Sequence, residues 1–366
     1  MKTASLLLTL TLAFVGGFYM VGCAAFGTRP GKDYQEKFSQ SPNYDKNEKA
    51  FVNRQQEAIK EMRKRAMSFS TLKEWFSKGE NRTPAHPLPE VKPDLAEFLK
   101  PSDHLKTIWF GHSTFLLNMD GKIILVDPVF SGSAAPFSFM VKRFQKTVLD
   151  LHDLPEIDYI VISHDHYDHL DMTSIQFFKD KKARFLTPLG VSSHLIGWGI
   201  ESSRITELDW WQSHKVDGIE FVATPAQHFS GRTGLRDNET LWASWVLRND
   251  KHNIYFSGDS GYDIHFKEIG EKYGPFDIAF IECGQYNEKW KEVHMLPEES
   301  MQAYADLKAK RFFPVHWGMF VLAFHAWNDP ILKLQEASTS KGINLVTPRL
   351  GQIVVVNDDY KNEAWW

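Results

Sequence analysis

Six consecutive residues, His164, Asp165, His166, Tyr167, Asp168 and His169, bring three imidazoles and two carboxylates together directly after the apolar run Tyr159–Ile162. Imidazole and carboxylate are the side chains that hold zinc and related transition metals. His164 and His166 stand two apart, so in an extended turn they point to one side. Asp168 and His169 follow where the chain turns toward a helix, and can face a second cation beside the first. Two adjacent cations need more ligands than one loop supplies. His228 after Phe221–Gln227, Asp259 after Ile254–Gly258 and His316 after Phe312–Val315 are each delivered by an apolar run. Two metals about 3.5–4 Å apart make hydroxide available at neutral pH and neutralise charge on a phosphoryl or carbonyl oxygen under attack.

Other residues fit supporting parts in such chemistry. Ligand histidines need partners that fix their tautomers; Asp127, at the end of Ile123–Val126, and Asp171 are candidates, and each also reads as a cap or turn residue. His294 precedes an expected helix start at Pro297. It could donate to a substrate phosphate or protonate a leaving alkoxide, or simply cap the helix. Gln227, beside a candidate ligand, could donate to phosphate, and Tyr167 could face the cleft; a loop amide and a packed ring are the plainer alternatives. His112, His265 and His325 read as structural.

The elements that must position these groups are short apolar runs with turn signals from Leu105 onward. Strands are expected over Thr107–Phe110, Thr114–Asn118, Ile123–Asp127, Tyr159–Ile162, Arg184–Thr187, Ile219–Thr224, Trp242–Arg248, Ile254–Ser257, Ile278–Glu282, Phe312–Val315 and Ile353–Val356. Helices are expected near Met172–Lys179, Val191–Gly197, Tyr262–Lys272, Pro297–Lys308 and Pro330–Ser340. Strands interleaved with helices indicate layered α/β architecture, with the ligand types at strand ends. Upstream, within an extension over residues 23–104, residues 27–100 are polar and charged, with a helical stretch from Asn47 to Lys78 and then Pro84, Pro87, Pro89, Pro93 and Pro101. They read as a stalk and packing extension ahead of a domain over 105–366.

Residues 1–22 read as a signal rather than as fold. Lys2, an apolar stretch from Leu6 to Val21 and Gly22 before Cys23 resemble a bacterial lipoprotein signal. That resemblance implies cleavage and acylation at Cys23, hence a lipid anchor in the cell envelope; Ala24 after the cysteine points to the outer membrane. The alternative is an uncleaved N-terminal membrane anchor. The second cysteine, Cys283, then has no disulfide partner and reads as a buried thiol. A net charge of −4 gives no bulk attraction to nucleic acid. Within Ser131–Lys146 the apolar run Ala134–Val141, edged by Lys142, Arg143 and Lys146, suits acyl chains and anionic head groups, or else folds onto the core.

The spacing His164-x-His166-x-Asp168-His169, then His228, Gly258-Asp259 and His316, is similar to the metallo-β-lactamase fold superfamily. The resemblance implies a four-layer αββα sandwich carrying an N-terminal helical extension. It implies one metal on His164, His166 and His228, another on Asp168, His169 and His316, and Asp259 bridging both and orienting the nucleophile. Two Zn²⁺ are expected, although N/O ligands also accept iron or manganese. The segments Trp109–Thr114, Asp127–Ser131, His164–Asp171, Pro225–His228, Gly258–Tyr262 and His316–Gly318 together resemble bacterial relatives of N-acylphosphatidylethanolamine-hydrolysing phospholipase D. That narrower resemblance implies cleavage of a phospholipid head-group phosphodiester to phosphatidic acid and an N-acylethanolamine. Asp165, where Asn is expected, and the segment His294–Pro297 depart from the pattern. Other readings of the same residues are hydrolysis of another ester, lactone or phosphodiester, or a metal-stapled envelope lipoprotein without activity.

Overall fold

The computed structural model describes residues 24–77, 79–234, 236–357 and 360–366. The signal-like segment and Cys23 lie outside them. Fifteen strands form two large sheets and a small hairpin. The hairpin pairs β1 (Tyr44–Asp45) with β2 (Ala50–Phe51). The seven-stranded sheet contains β3 (Lys106–Trp109), β4 (Phe115–Met119), β5 (Lys122–Val126), β6 (Tyr159–Val161), β7 (Arg184–Pro188) and β8 (Ile205–Leu208), with β15 (Ile353–Val355) beside β3. The six-stranded sheet runs in the order β14 (Phe312–Val315), β13 (Ile278–Glu282), β12 (Asn253–Phe256), β11 (Ser244–Arg248), β10 (Ile219–Thr224), β9 (Ser213–Val216).

Alternation along the strands sorts side chains into two cores. Phe115, Leu117, Ile124, Val126, Tyr159 and Val161 face the other sheet, where Phe221, Trp245, Phe256 and Phe280 meet them. The Phe115 and Phe280 rings stack across this interface with centroids 4.1 Å apart. Leu116, Leu125, Ile160, Ile162 and Phe185 point the other way, onto Ile175 and Leu195 of the helices Met172–Phe177 and Ser192–Gly197. The helices His265–Tyr273, Pro297–Asp306 and Asp329–Lys341 contribute Ile269, Met301 and Leu334 to the first core, on the six-stranded side. The layers are therefore helix, sheet, sheet, helix, as expected.

Both sheets are mixed. β5 through β8 are parallel, as are β12 through β14; α-helices make the crossovers between parallel neighbours except from β5 to β6, where a long loop with one short 3₁₀ turn, Leu151–Asp153, does so. That arrangement brings the carboxyl ends of β5, β6, β12, β13 and β14 to one edge of the sandwich. Four strands are absent from the sequence reading: β1 and β2 of the hairpin, and β8 and β9, which lie at sheet edges and are only partly buried. The sequences of β8 and β9, ITEL and SHKV, carry too few apolar residues to announce a strand.

The expected single helical stretch from Asn47 to Lys78 is instead β2 followed by two helices, Gln56–Ala66 and Phe69–Trp75. Ser68 breaks them: its extended backbone and its Oγ, 3.4 Å from the Thr71 N–H, cap the second helix. Two further short helices, Lys32–Phe38 and Leu95–Leu99, flank this region. Ile59, Met62 and Ala66 pack on Trp290, Val293 and Ala323, and Arg54 pairs with Glu268 at 2.6 Å. The extension is thus docked along its length.

Candidate metal centre

Each candidate ligand leaves the end of a strand. β6 leads through Ser163 to His164; β10 through Pro225 to His228; β12 through Ser257 and Gly258 to Asp259; β14 directly to His316. Gly258 is required where it stands. Its φ is +55°, and a Cβ there would lie 2.8 Å from Ser163 Cβ and 3.0 Å from Ala243 O. This close approach sets Asp259 against the loop 163–169.

The side chains converge as two groups that share Asp259. His164 Nε2 lies 2.9 Å and His228 Nε2 lies 3.2 Å from His166 Nδ1, and both Nε2 atoms are 3.6 Å from Asp259 Oδ2. On the other side His169 Nε2 is 3.1 Å from Asp259 Oδ1 and 3.4 Å from Asp168 Oδ2. His316 Nε2 is 3.2 Å from Asp259 Oδ2 and 3.3 Å from Asp168 Oδ2. The donor chemistry fits divalent transition metals, and the burial supports it. His169 Nε2 and Asp259 Oδ1 are buried with no hydrogen-bond partner, a costly state unless a cation takes their lone pairs.

The nitrogens facing away from the cluster are held. His169 Nδ1 is 2.7 Å from Asp127 Oδ2, whose carboxylate also accepts the Ser163 N–H at 2.7 Å and its Oγ–H at 2.5 Å. His164 Nδ1 lies 2.9 Å from Ser163 Oγ, and His228 Nδ1 lies 3.1 Å from Val293 O. His316 Nδ1 is 3.1 Å from Glu282 Oε2. Asp127 therefore fixes a tautomer, whereas Asp171 caps the helix Met172–Phe177 and holds the Ser131 hydroxyl at 2.7 Å.

Charge is distributed unevenly. Burial depresses the pKa values of His164 and His228 well below the imidazole range, leaving lone pairs free. Burial also opposes protonation of His316, but Asp259, Asp168 and Glu282 outweigh it and lift its pKa to about 9. Asp259 and Asp168 do the same for His169, against its burial. Burial works against ionisation of Asp259 as well, yet His169 and His316 hold it well below the usual carboxylate range.

A family model described as the beta-lactamase superfamily domain matches residues 122–317. The chain belongs to the metallo-β-lactamase superfamily. It is 34% identical over 269 residues to N-acyl-phosphatidylethanolamine-hydrolyzing phospholipase D 1 of Caenorhabditis elegans, covering 68% of this chain and 75% of that one. It is 53% identical over 102 residues to the outer membrane protein RomA of Klebsiella pneumoniae, covering 28% of this chain and 76% of that one. Among solved structures, the metallo hydrolase Igni18 of Ignicoccus hospitalis superposes with a TM-score of 0.55 at 22% identity, over 68% of this chain and 97% of that one. This likeness agrees with the sandwich described above. The chain is a metal-dependent hydrolase of that fold.

Within this superfamily member some expected residues sit elsewhere. Tyr167 turns its ring over the Arg232 guanidinium, 3.9 Å from it, and donates to Arg232 O at 2.7 Å. Gln227 Nε2 donates to Glu292 O at 2.9 Å, and the side chain is buried. Neither lines the cavity that the metal cluster opens into, whereas His294 does. Asp165 also points inward, accepting the Gly231 N–H at 2.7 Å and Thr240 Oγ1 at 3.0 Å. Its departure from the expected Asn alters the scaffolding of the loop rather than the cavity wall.

Other residues join the site unannounced. His112, read as structural, is buried with Nε2 2.8 Å from Asp168 Oδ2. Reciprocal pairing of its backbone explains the placement: His112 N–H donates to Trp317 O and His316 N–H donates to His112 O, each at 3.0 Å. Glu282 lay within an expected strand, and its terminal position was the available signal. Asn53 of the extension brackets His228, donating to its carbonyl at 2.7 Å and accepting its N–H at 3.1 Å. Cys283 is buried as expected.

Proposed function

We propose that this chain is a phosphodiesterase of phospholipase D type, acting with two bound zinc ions on N-acylphosphatidylethanolamine-like lipids. The observation that carries the reading is the cavity over the cluster. It has a volume of about 420 Å³, with His166, Asp168, Asp259, His294 and His316 at its polar base and Met62, Ala66, Met67, Trp75, Phe229, Trp290 and Leu322 among its apolar lining. A polar base under apolar walls suits a charged head group attached to acyl chains. The name of the Caenorhabditis elegans relative specifies such a lipid.

The mouth supports a membrane substrate. Met67, Phe69 and Phe76, on and beside the helix Phe69–Trp75, are 86%, 83% and 83% exposed, and an apolar ridge of this kind marks an interaction surface. Phe139 and Met140 are exposed on the loop Ser131–Lys146, with Lys142 and Lys146 beside them. Arg143 is not part of that cationic edge: it is buried and donates to Ser131 O at 3.1 Å. The name of the Klebsiella relative and the motif at Cys23 support an envelope location through a lipidated Cys23, at the outer membrane. No helix among the described residues is long and apolar enough to cross a membrane.

His164, His166 and His228 would hold one metal, Asp168, His169 and His316 the other, with Asp259 between them. Such a pair supplies a hydroxide nucleophile at neutral pH and neutralises phosphoryl charge. Asp259, with its carboxylate held ionised, orients the nucleophile. His294, at the cavity wall with Nδ1 facing Glu282, donates from Nε2 to a phosphoryl oxygen or to the leaving alkoxide in its doubly protonated form. Met67, Trp75 and Trp290 exclude water around the acyl portion. The test is incubation of zinc-loaded protein with a total envelope lipid extract, followed by mass spectrometry. Phosphatidic acid with free N-acylethanolamine is the expected result. Diacylglycerol would mean cleavage on the other side of phosphorus, and an unchanged extract would overturn the lipid reading.

A further inference from the structure

Glu282 ends β13 and is completely buried. One of its oxygens, Oε2, stands 3.2 Å from His294 Nδ1 and 3.1 Å from His316 Nδ1. The other, Oε1, accepts the Met295 N–H at 2.8 Å. The two imidazoles lie face to face, with centroids 5.0 Å apart and planes 23° from parallel. The backbone around this carboxylate is tied as well. Glu282 N–H donates to Ser257 Oγ at 2.9 Å, and Ser300 Oγ donates to Glu282 O at 3.0 Å.

We infer that Glu282 is a positioning residue that couples the metal-ligand set to the cavity-facing His294 through one shared carboxylate oxygen. Both rings give their Nδ1–H to Oε2, so both present Nε2 on the far side. For His316 that nitrogen meets Asp259 and Asp168. For His294 the ring borders the cavity. Two other ligand histidines share a partner, Ser163 Oγ, 2.9 Å from His164 Nδ1 and 3.4 Å from His169 Nδ1, but no cavity-lining imidazole joins them. His169 leans on Asp127, His228 on Val293 O and His164 on Ser163, and none of these partners holds a cavity-lining imidazole that is not a ligand.

A shared oxygen makes the two orientations interdependent. If His316 swings toward a cation, the Oε2 it pulls is also the anchor of His294. Removing the His294 ring frees Oε2 of one of its two partners and should therefore alter the cation affinity of the set that includes His316. Glu282→Gln breaks the arrangement without removing volume. If the amide oxygen faces the two rings, the amide N–H₂ meets the Met295 N–H, donor against donor. If the amide is reversed, its N–H₂ faces both Nδ1 atoms and forces a ring into the other tautomer.

The inference rests on the hydrolase reading only for its effect on turnover, so the test reads tautomers and zinc binding separately. In the full chain, long-range ¹⁵N–¹H correlation spectra of the imidazoles, assigned with His294→Gln, report the Nδ1–H of His294. Zinc affinity is read by chelator competition, and turnover with bis(4-nitrophenyl) phosphate at saturating zinc. Glu282→Gln is expected to change the His294 pattern, to weaken one zinc by about 10–100-fold, and to cut turnover even when excess zinc restores full loading. Asp127→Asn, at a carboxylate that meets His169 and Ser163 but not His294, should weaken zinc and leave the His294 pattern intact.

His294→Phe is the second variant, usable if Glu282→Gln does not fold; it should shift zinc affinity at least about threefold although His294 is not in the proposed ligand set. An unchanged His294 pattern in Glu282→Gln, or turnover fully restored by excess zinc, would overturn the coupling. So would unchanged zinc affinity in His294→Phe. If the wild type does not hydrolyse the phosphodiester, the functional reading fails while the spectra and zinc titrations still decide the role of Glu282.

Discussion

Asp127→Asn tests whether the cluster depends on partners outside the ligand set. Asp127 is fully buried and its carboxylate collects the Ser163 N–H at 2.7 Å, the Ser163 Oγ–H at 2.5 Å and the His169 Nδ1–H at 2.7 Å. Asparagine offers one acceptor oxygen and one donor group in the same space. Whichever way the amide sits, at least one buried donor faces another donor. A buried donor left unpaired costs about 1–3 kcal/mol. Loss of the partner behind a ligand histidine lowers metal affinity about 10–100-fold, equivalent to ~1.4–2.7 kcal/mol. The side chain is the same size, so no cavity term is added. Two measurements separate these effects: urea unfolding of the metal-free chain, and competition against a chromogenic zinc chelator. The expected outcome is a metal-free fold weakened by about 1–3 kcal/mol, with the zinc on the His169 side released first. Wild-type affinity at both sites, in a variant that has lost stability, would refute the argument: Asp127 would then be holding the chain and not the imidazole.

Three further outcomes follow from the same geometry. Metal-free His316, lifted to about 9, keeps its proton at neutral pH, and zinc must displace it; affinity should rise with pH through 7 and 8 and level off above about 9, with proton release read by calorimetry in buffers of different ionisation enthalpy. Asn53→Ala removes both partners of the His228 backbone and should destabilise the chain by about 1–3 kcal/mol and weaken zinc binding, checked by unfolding and chelator competition. Phe139→Asp, on the exposed loop, should slow turnover of a bilayer substrate and spare a soluble phosphodiester; equal loss on both would remove that loop from the lipid interface.

The convergence of the loop 164–169 with His228, Asp259 and His316 is legible in the sequence because metal chemistry demands particular residue types, and apolar runs announce the strands that carry them. The partners behind the ligands were less so. Asp127, Asp171 and Glu282 all stand at element ends, and nothing local distinguishes a carboxylate that meets an imidazole from one that caps a helix. The difference is made by β13 lying between β12 and β14, which puts Glu282 under His316. The same limit explains His112, which reaches Asp168 only because its backbone pairs with the turn at His316. Tyr167 and Gln227 failed in the opposite sense. Adjacency to a ligand in sequence suggested the cavity, but neighbours in a turn point apart: Gln227 faces protein, and half-buried Tyr167 lines a separate cavity with Phe137 and Arg232.

Charge balance ties these observations together. Asp127, Asp168, Asp259 and Glu282 are all buried at the centre, formally four negative charges when ionised, and burying charge without compensation is costly. The two proposed divalent cations would supply four positive charges. Without them, the burden falls on the imidazoles closest to the carboxylates, which is why His169 and His316 are drawn upward in pKa while His164 and His228 are driven down by burial. Protons on His169 and His316 thus supply part of the positive charge that the proposed cations would bring. The half of the cluster built on Asp168, His169 and His316 should therefore be the more pH-sensitive in metal uptake. The half built on His164, His166 and His228 offers neutral nitrogens and should load first as pH is raised from acid.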